Sequence, residues 1–261
     1  MKVSIIIPSG STEQNAHVRI NCLWRCMNSL HNNPGIPFEI ILIDNAQTEN
    51  HHQAIQKIFR TYPSVTHLIV NRVNEMMGGA FKQGCEIADG KFFVFMADDC
   101  LLSPGWLSAL LLPLERFPDS LYVGALEVGP NVRSKLEGKI YVDDISYTIR
   151  TRAGCYVWAL RAEHYNHVIP WQRKHFADTR MANRLRGKGF SFIFPTKKGY
   201  LAYSNLNYLR PWEYQRDKAN SVMDFKKEHM GRSWEGDKVR LLQAPEEPKE
   251  RYPLRNKRKK K

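Results

Sequence analysis

Short, continuous runs of apolar residues alternate with helical patterns through the first half of the chain. Strands are predicted at Val3–Pro8, Glu39–Asp44, His67–Val70 and Lys91–Ala97, and helices at 17–31, 50–61 and 78–89. Because the strands lack polar alternation, we expect the sheet that they form to be covered on both faces. The pattern therefore predicts an α/β fold with a mostly parallel sheet flanked by helices.

The second half of the chain predicts a smaller region of mixed structure. Strands are expected at 121–127, 139–141, 147–150 and 190–194, an apolar stretch at 154–160 and a helix at 175–187. Residues 213–250 are polar, with one helix near 213–230, and they lead into a basic tail at 251–261. We therefore expect one domain over 1–212 and a C-terminal extension over 213–261.

Simple counts exclude several classes of protein. No apolar run approaches the roughly 18 residues that a membrane span needs, and the N-terminus is too weakly apolar for a secretory signal. The chain has five cysteines, and Cys22 and Cys26 have no second pair near them, which argues against a disulfide framework or a zinc site. No G-x-G-x-x-G follows the first strand, which excludes a dinucleotide-dependent oxidoreductase. A cytoplasmic protein with reduced thiols is expected.

The net charge of +13 is concentrated in the second half of the chain. Residues 1–132 have a net charge of −3, whereas residues 133–212 hold 15 basic and 5 acidic residues. The tail 251–261 adds 7 basic residues and no acidic one, although such tails often serve only solubility. The excess at 133–212 lies in a segment that is predicted to fold. It therefore predicts a surface for an anionic partner, such as nucleic acid, a phosphorylated glycan or anionic lipid headgroups.

Carboxylates follow two of the predicted strands. Asp44 ends the second strand, and Asp98 and Asp99 follow the fourth. Ligands bind beyond the carboxyl ends of the strands in sheets of this kind. Adjacent carboxylates at such a place are unfavourable unless a positive charge neutralises them, and a divalent cation that also binds phosphate oxygens would do so. A solvated acidic turn or a helix N-cap is the alternative explanation.

Four segments of the chain form an ordered set. They are VSIIIPSG, EIILIDNAQTEN, GGAFKQGCEIADGKFFVFMADDCLLSPGWL and FADTRMANRLRGKGF. In this order and spacing, over residues 1–205, they resemble family 2 of the GT-A nucleotide-sugar glycosyltransferases. The stretch GKFFVFMADDCLLSPGWL is the most specific, since it matches a strand, a metal-binding acidic motif and the turn that follows. The resemblance implies the GT-A fold, with a donor half at 1–132 and an acceptor half at 133–212.

The resemblance gives binding roles to the residues that follow the first two strands. It implies that Pro8 and Ser9 lie near the nucleotide. It also implies that Asp44 hydrogen-bonds the base of the nucleotide, with Asn45 beside it. An Asx-turn that ends the strand is the structural alternative for Asp44.

The acidic motif and a nearby lysine carry further implied roles. Asp98 and Asp99 match the motif that binds the sugar nucleotide and a metal ion, with Asp99 as the more direct ligand. The implied ion is Mn²⁺ or Mg²⁺, which would neutralise the diphosphate of the donor. Lys82 stands where the family often has an asparagine, and we expect it either to reach a phosphate or to be a surface lysine.

Two residues of the acceptor half complete the implied site. Asp178 matches the carboxylate that inverting members use as catalytic base, which takes the proton of the acceptor hydroxyl as its oxygen attacks the anomeric carbon. An acid that suits a helix N-terminus is the structural alternative for Asp178. Gly154 matches a loop that lines the donor sugar and the acceptor.

The chain departs from the family pattern at several positions. Gly10 and Ser11 replace an aromatic residue and an asparagine, and Ala177 stands where an acid is common. No histidine occurs at 199–207, where many members have a further metal ligand. The complete set of metal ligands is therefore open, and His175 is a further candidate.

These features together predict an inverting glycosyltransferase that moves a sugar from a nucleotide-diphosphate sugar to a hydroxyl of an anionic acceptor. Two acceptors stay open. One is an envelope glycan or glycolipid, with peripheral membrane contact. The other is a hydroxylated base of phage-type modified DNA, flipped out of the duplex and stacked on aromatic residues such as Trp171 and Trp212. The alternative from another class is a catalytically degenerate GT-A-fold protein that binds nucleic acid or a membrane through its basic face.

Overall fold

The computed structural model describes residues 2–11, 16–31, 36–45, 48–126, 135–151, 157–165, 178–196 and 202–204. For residues 17, 18, 178–181 and 202–204 it describes the backbone alone. In these ranges no helix is both long enough and apolar enough to cross a bilayer. The predicted C-terminal extension, with its helix and basic tail, lies outside the described residues.

The first half folds in the predicted alternation of strands and helices. The elements are β1 (Val3–Ser9), α1 (Ala16–His31), β2 (Phe38–Asn45), α2 (Glu49–Thr61), β3 (Val65–Asn71), α3 (Met76–Ile87) and β4 (Phe92–Met96). Every element that the sequence predicts here is present. The boundaries differ from the predicted ones by at most two residues at each end, which is the usual uncertainty of an element's ends.

The second half contains shorter elements. They are β5 (Cys100–Leu102), α4 (Trp106–Arg116), β6 (Tyr122–Ala125), β7 (Leu136–Val142), β8 (Ile145–Arg150), β9 (Val157–Arg161), a 3₁₀ turn (Ala162–His164), α5 (Asp178–Gly187), β10 (Ser191–Pro195) and β11 (Ala202–Ser204). β5 is not predicted from the sequence, and it pairs with β11 in a separate two-stranded sheet. Short pairs of this kind leave too few residues for a visible pattern.

Nine of the described strands form one continuous sheet in the order β3-β2-β1-β4-β9-β6-β10-β8-β7. The four strands of the first half run parallel to one another. β9 enters antiparallel between β4 and β6, and the β7–β8 hairpin is antiparallel to β10. The sheet is therefore parallel in the predicted donor half and mixed beyond it, and both halves share one sheet.

Helices cover both faces of this sheet, because neighbouring strand residues point to opposite faces. Ile5 and Ile7 pack with Leu23 in a core that also contains residues of α2 and α4. Ile6, which lies between them in the sequence, packs with Phe81 of α3 in a second core that also contains residues of α5. The result is a three-layer α/β arrangement, as the continuous apolar strands predict.

Four described cysteines, Cys22, Cys26, Cys85 and Cys100, are buried and form no disulfide with one another. Burial raises the pKa of all four thiols, and that of Cys22 rises to about 12, with the nearby carboxylates of Asp99 and Asp98 acting in the same direction. Thiolate formation is therefore unfavourable, and these side chains act as small apolar residues of the core.

Candidate functional site

A cavity of about 390 Å³ opens at the carboxyl edge of the parallel strands. Its lining consists of Pro8, Ser9, Gly10, Arg19, Asn45, Asn74, Met76, Met77, Ala97, Asp98 and Asp99. β1 pairs in parallel with both β2 and β4, so the residues that follow these three strands meet at one edge. The volume is in the range of small-molecule sites.

The structure brings together five of the predicted site residues. Pro8, Ser9, Asn45, Asp98 and Asp99 all line the cavity. They come from the ends of three strands that are separated in the sequence. The parallel order of β2, β1 and β4 is what places them side by side.

The carboxylate of Asp98 is held from two sides. It is 1% exposed, and its Oδ2 accepts a 2.7 Å hydrogen bond from the hydroxyl of Ser9. Its Oδ1 pairs with Nη2 of Arg19. The same guanidinium donates from Nε to the carbonyl oxygen of Gly10 at 2.9 Å, and its Nη1 lies 3.9 Å from Oδ2 of Asp99. Arg19 thus supplies positive charge beside Asp98 and Asp99, where the sequence predicts a metal ion.

His51 lies behind Ser9 and is fully buried. Its Nε2 lies 2.8 Å from Oγ of Ser9. Since Ser9 donates its proton to Asp98, His51 donates from Nε2, and its Nδ1 keeps a lone pair. Among the described residues this Nδ1 has no hydrogen-bond partner. Burial lowers the pKa of His51, with a smaller opposing effect of Asp98, and the neutral ring is favoured.

Asp44 is 2% exposed and does not line the cavity. Its Oδ2 pairs with Nδ1 of His52, and the side-chain amide of Gln56 donates to Nε2 of His52 at 2.7 Å. Within the described part of the chain, Oδ1 of Asp44 has no hydrogen-bond partner. A buried carboxylate oxygen is unfavourable in that state, so it is a natural acceptor for a ligand that donates a hydrogen bond.

A network of side-chain amides forms the opposite wall of the cavity. Oδ1 of Asn45 accepts hydrogen bonds from the side-chain amide of Asn71 at 3.1 Å and from the backbone amide of Glu75 at 2.9 Å. Nδ2 of Asn45 donates to Oδ1 of Asn74 at 3.0 Å, and this oxygen also accepts from the backbone amide of Met76 at 2.7 Å. Met76 has a φ of 56°, which non-glycine residues adopt rarely. The network fixes the connection from β3 to α3.

Among the remaining predicted residues, Lys82 has a described side chain. Lys82 does not line the cavity, and its ammonium pairs with Glu86 at 3.2 Å on an exposed face of α3. Asp178 is the first residue of α5, where the backbone alone is described. Outside the described residues lie Gly154, Trp171, His175, Ala177 and Trp212.

Three side chains at the site, Arg19, His51 and His52, are not predicted from the sequence. A signal for the two histidines was present, because Thr48 caps α2 by accepting a hydrogen bond from the amide of His51. That cap puts both histidines in the first turn of α2, directly after β2. Arg19 carries no comparable signal, because helical periodicity marks the buried face of α1 and not the side chains at its end.

The carboxylates of the cavity fit a divalent cation that is coordinated mainly by the phosphate oxygens of a bound nucleotide and by water. Such ions need one or two carboxylates when phosphate oxygens and water complete the coordination. Asp99 lines the cavity and is 8% exposed, whereas both oxygens of Asp98 bind Ser9 and Arg19. In the ranges that the structure describes, no three His, Cys, Asp or Glu side chains cluster around one point. Asp99 is therefore the carboxylate that suits a first ligand.

Comparisons with known proteins agree with the resemblance found in the sequence. The family model described as "Glycosyl transferase family 2" matches residues 4–200. TarS from S. aureus is 16% identical, with a TM-score of 0.56 over 85% of this chain and 40% of TarS. GalNAc-T7, solved with UDP, GalNAc and Mn²⁺, is 11% identical, with a TM-score of 0.59 over 78% of this chain and 44% of its own.

A third similar structure is the mannosyltransferase PcManGT from Pyrobaculum calidifontis, solved with GDP-Man and Mn²⁺. It is 14% identical, with a TM-score of 0.61 over 87% of this chain and 63% of its own. This chain thus spans less than two thirds of each of the three proteins. The likeness at these identities shows a shared fold. A comparison with curated proteins finds no match.

Proposed function

Because the chain belongs to glycosyl transferase family 2, we propose that it moves a sugar from a nucleotide-diphosphate sugar to an acceptor hydroxyl, with inversion at the anomeric carbon. The observation that carries this proposal is the cavity at the carboxyl edge, where Arg19, Asp98 and Asp99 meet. A guanidinium next to carboxylates that can hold a divalent cation is the chemistry that a diphosphate requires.

The two ends of the cavity suit the two parts of the donor. The end at Arg19 and Asp99 is charged and takes the diphosphate, whereas the uncharged wall at Asn45 and Met76 takes the nucleoside. Oδ1 of Asp44, which has no hydrogen-bond partner among the described residues, supports the role of Asp44 as the acceptor for an N–H group of the base. This role requires that the base reach past the cavity lining to the end of β2.

A Mn²⁺ or Mg²⁺ ion belongs to the proposal, and Asp99 would hold it. When bound, this ion neutralises the diphosphate and stabilises the nucleoside diphosphate that leaves. Asp98 serves as an anchor, since its oxygens bind Ser9 and Arg19. GalNAc-T7 and PcManGT, which share the fold, were each solved with Mn²⁺ and a nucleotide or nucleotide sugar.

In the proposed reaction the acceptor oxygen forms a bond to the anomeric carbon. The bond from that carbon to the diphosphate oxygen breaks, and the leaving diphosphate keeps the electron pair. The carboxylate of Asp178 takes the proton of the acceptor hydroxyl. The assignment rests on the match of Asp178 to the catalytic carboxylate of the family, since its position at the first residue of α5 also suits the structural alternative of a helix N-terminal acid.

The acceptor is proposed to carry negative charge. Lys135, Lys139, Arg184, Arg186 and Lys188 are exposed on the basic second half of the chain. A phosphorylated envelope glycan or glycolipid and hydroxylated DNA both meet this description. Binding of duplex DNA through several phosphates would weaken steeply between 50 and 200 mM salt. Radiolabel transfer to each acceptor class, with salt titration of DNA binding, separates the two.

Thermal unfolding with nucleotides tests the proposed donor site. UDP, GDP, ADP and their sugars are added to wild type and to Asp99→Asn, with Mn²⁺ or with EDTA. A donor at 100 times its Kd stabilises the folded state by about 2.7 kcal/mol. We expect Asp99→Asn to lose the Mn²⁺-dependent part of the shift, while Asp119→Asn, at an exposed acid of the surface, retains all of it. If no nucleotide shifts the wild type under either condition, the non-catalytic binding protein becomes the supported alternative.

A further inference from the structure

We propose that Arg19 is a resident cation of the donor cavity, which binds the diphosphate directly and competes with the divalent cation for the negative charge of the Asp98–Asp99 pair. The inference rests on the proposed function, since it concerns the same cavity. It adds a binding role for a side chain that the sequence motifs do not include.

The position of Arg19 is fixed by contacts on three sides. The side chain is 15% exposed and lines the cavity. It pairs with Asp98 through Nη2, approaches Asp99 through Nη1 and donates from Nε to the carbonyl oxygen of Gly10. A planar guanidinium that is held in this way has lost most of its rotamer freedom before a ligand binds, so an anion that meets it loses less entropy.

The charges of the cavity explain the competition. Asp98 and Asp99 are adjacent and buried, and two negative charges in that position attract any cation. The guanidinium already neutralises one of them. A divalent cation that binds Asp99 must share the negative charge of the pair with Arg19 and is repelled by the guanidinium. Removal of Arg19 therefore raises the affinity of the pair for Mn²⁺.

Removal of Arg19 should have the opposite effect on the diphosphate, whose affinity for the cavity should fall. A guanidinium presents five N–H donors in a fixed fork, and a guanidinium that holds a carboxylate can bind phosphate oxygens at the same time. Such charge-assisted hydrogen bonds do not require a metal ion. We therefore expect the cavity to bind a nucleoside diphosphate in EDTA, and Arg19 to carry that metal-independent part.

Two titrations of the full-length chain test the inference. UDP and GDP are titrated in EDTA by calorimetry, and Mn²⁺ is titrated without nucleotide while electron paramagnetic resonance reports the free ion. Arg19→Ala should bind the diphosphates about tenfold more weakly or worse and bind Mn²⁺ about tenfold more tightly, since one charge-assisted contact is lost in the first case and one competitor in the second. Arg25→Ala, with the same change of charge in α1 outside the cavity lining, should match wild type in both.

In Arg19→Ala the affinity for diphosphates should fall while the affinity for Mn²⁺ rises. This distinguishes a binding role from a structural one, because a partly unfolded variant would lose affinity for both ligands. Diphosphate binding by Arg19→Ala that equals wild type in EDTA, or wild-type binding that occurs with Mn²⁺ alone, would overturn the proposal. If Arg19→Ala does not fold, Arg19→Lys keeps the charge without the fork. It should then show weaker diphosphate binding with Mn²⁺ affinity near wild type, and equal diphosphate binding would refute the inference. If wild type binds no diphosphate with EDTA or with Mn²⁺, the proposed function is refuted. The Mn²⁺ titration without nucleotide still tests whether Arg19 competes with the ion.

Discussion

The hydroxyl of Ser9 donates a 2.7 Å hydrogen bond to Asp98, and so joins the last residue of β1 to the acidic pair after β4. The two strands are parallel neighbours, so the bond crosses the edge of the sheet at the bottom of the cavity. His51 supports Ser9 from behind at 2.8 Å. The orientation of Asp98 is therefore set by β1 through Ser9 and by two helices, α1 through Arg19 and α2 through His51.

Replacement of this hydroxyl should reduce stability. Ser9→Ala leaves one oxygen of a buried carboxylate and Nε2 of His51 without their hydrogen bond, so we expect the free energy of unfolding to fall by about 1–3 kcal/mol. Urea denaturation at pH 7.5 measures the change. Ser108→Ala, at an exposed position of α4, is the matched control and should stay within about 0.5 kcal/mol of wild type. Equal midpoints for the two variants would contradict the assigned bond.

The buried histidine makes stability depend on pH. His51 faces Asp98, Arg19 and Asp44, and its pKa in the folded protein lies below the ordinary value of 6.5 because it is buried. The unfolded chain therefore binds more protons as pH falls through 6.5, and the folded state loses stability in that window, until the pH reaches the lower pKa of the folded protein.

His51→Gln removes this titration and keeps an amide that can donate to Ser9. Urea denaturation at pH 7.5 and at pH 5.5 should show a smaller loss of stability for His51→Gln than for wild type. The same loss in both proteins would mean that His51 is protonated as readily in the folded protein as in the unfolded chain.

The proposed catalytic base and the proposed metal ligand should fail in different ways. Asp178→Asn cannot take a proton, so we expect sugar transfer to fall by about 10²–10⁴-fold while donor binding stays near wild type. Asp99→Asn should weaken Mn²⁺-dependent donor binding. Transfer assays combined with calorimetry make the comparison, and Asp119→Asn serves as the control for loss of an acid. Near-normal transfer by Asp178→Asn would refute its assignment as the base.

The fold of the first half could be predicted because β1, β2 and β4 are apolar and buried on both faces, and only a sheet covered by helices buries both. The predicted GT-A family 2 membership is confirmed, since the family match and the shared fold agree with it. The position of β9 could not be predicted. It lies between β4 and β6 and pairs with both across long stretches of sequence. An apolar run does not show which strands it pairs with.

The candidate site was predictable where residues follow strands. Ser9 and Asp98 meet because parallel strands end at one edge. Arg19 and His51 reach the same place from helices, and their side chains are positioned by packing that no local pattern records. The sequence therefore predicts the acidic pair, whereas the groups that neutralise and orient it become visible only in three dimensions.

The close packing of α3 on β1 gives a last prediction, at Gly84. A Cβ at this position would lie 2.3 Å from Cγ2 of Ile6, which is far inside van der Waals contact. Gly84→Ala should force α3 outward and lower the free energy of unfolding by about 1–3 kcal/mol. Gly187→Ala is the matched control, because no atom lies within 4 Å of the added carbon at the last residue of α5, so we expect unchanged or slightly raised stability.

Gly84→Ala should also change the cavity. α3 begins at Met76, which lines the wall opposite the acidic pair, so an outward shift of the helix should also weaken nucleoside diphosphate binding. The double variant Ile6→Ala with Gly84→Ala tests the contact itself. Since the two side chains would occupy the same space, its loss of stability should be smaller than the sum of the two single losses, and strict additivity in urea denaturation would show that they do not meet.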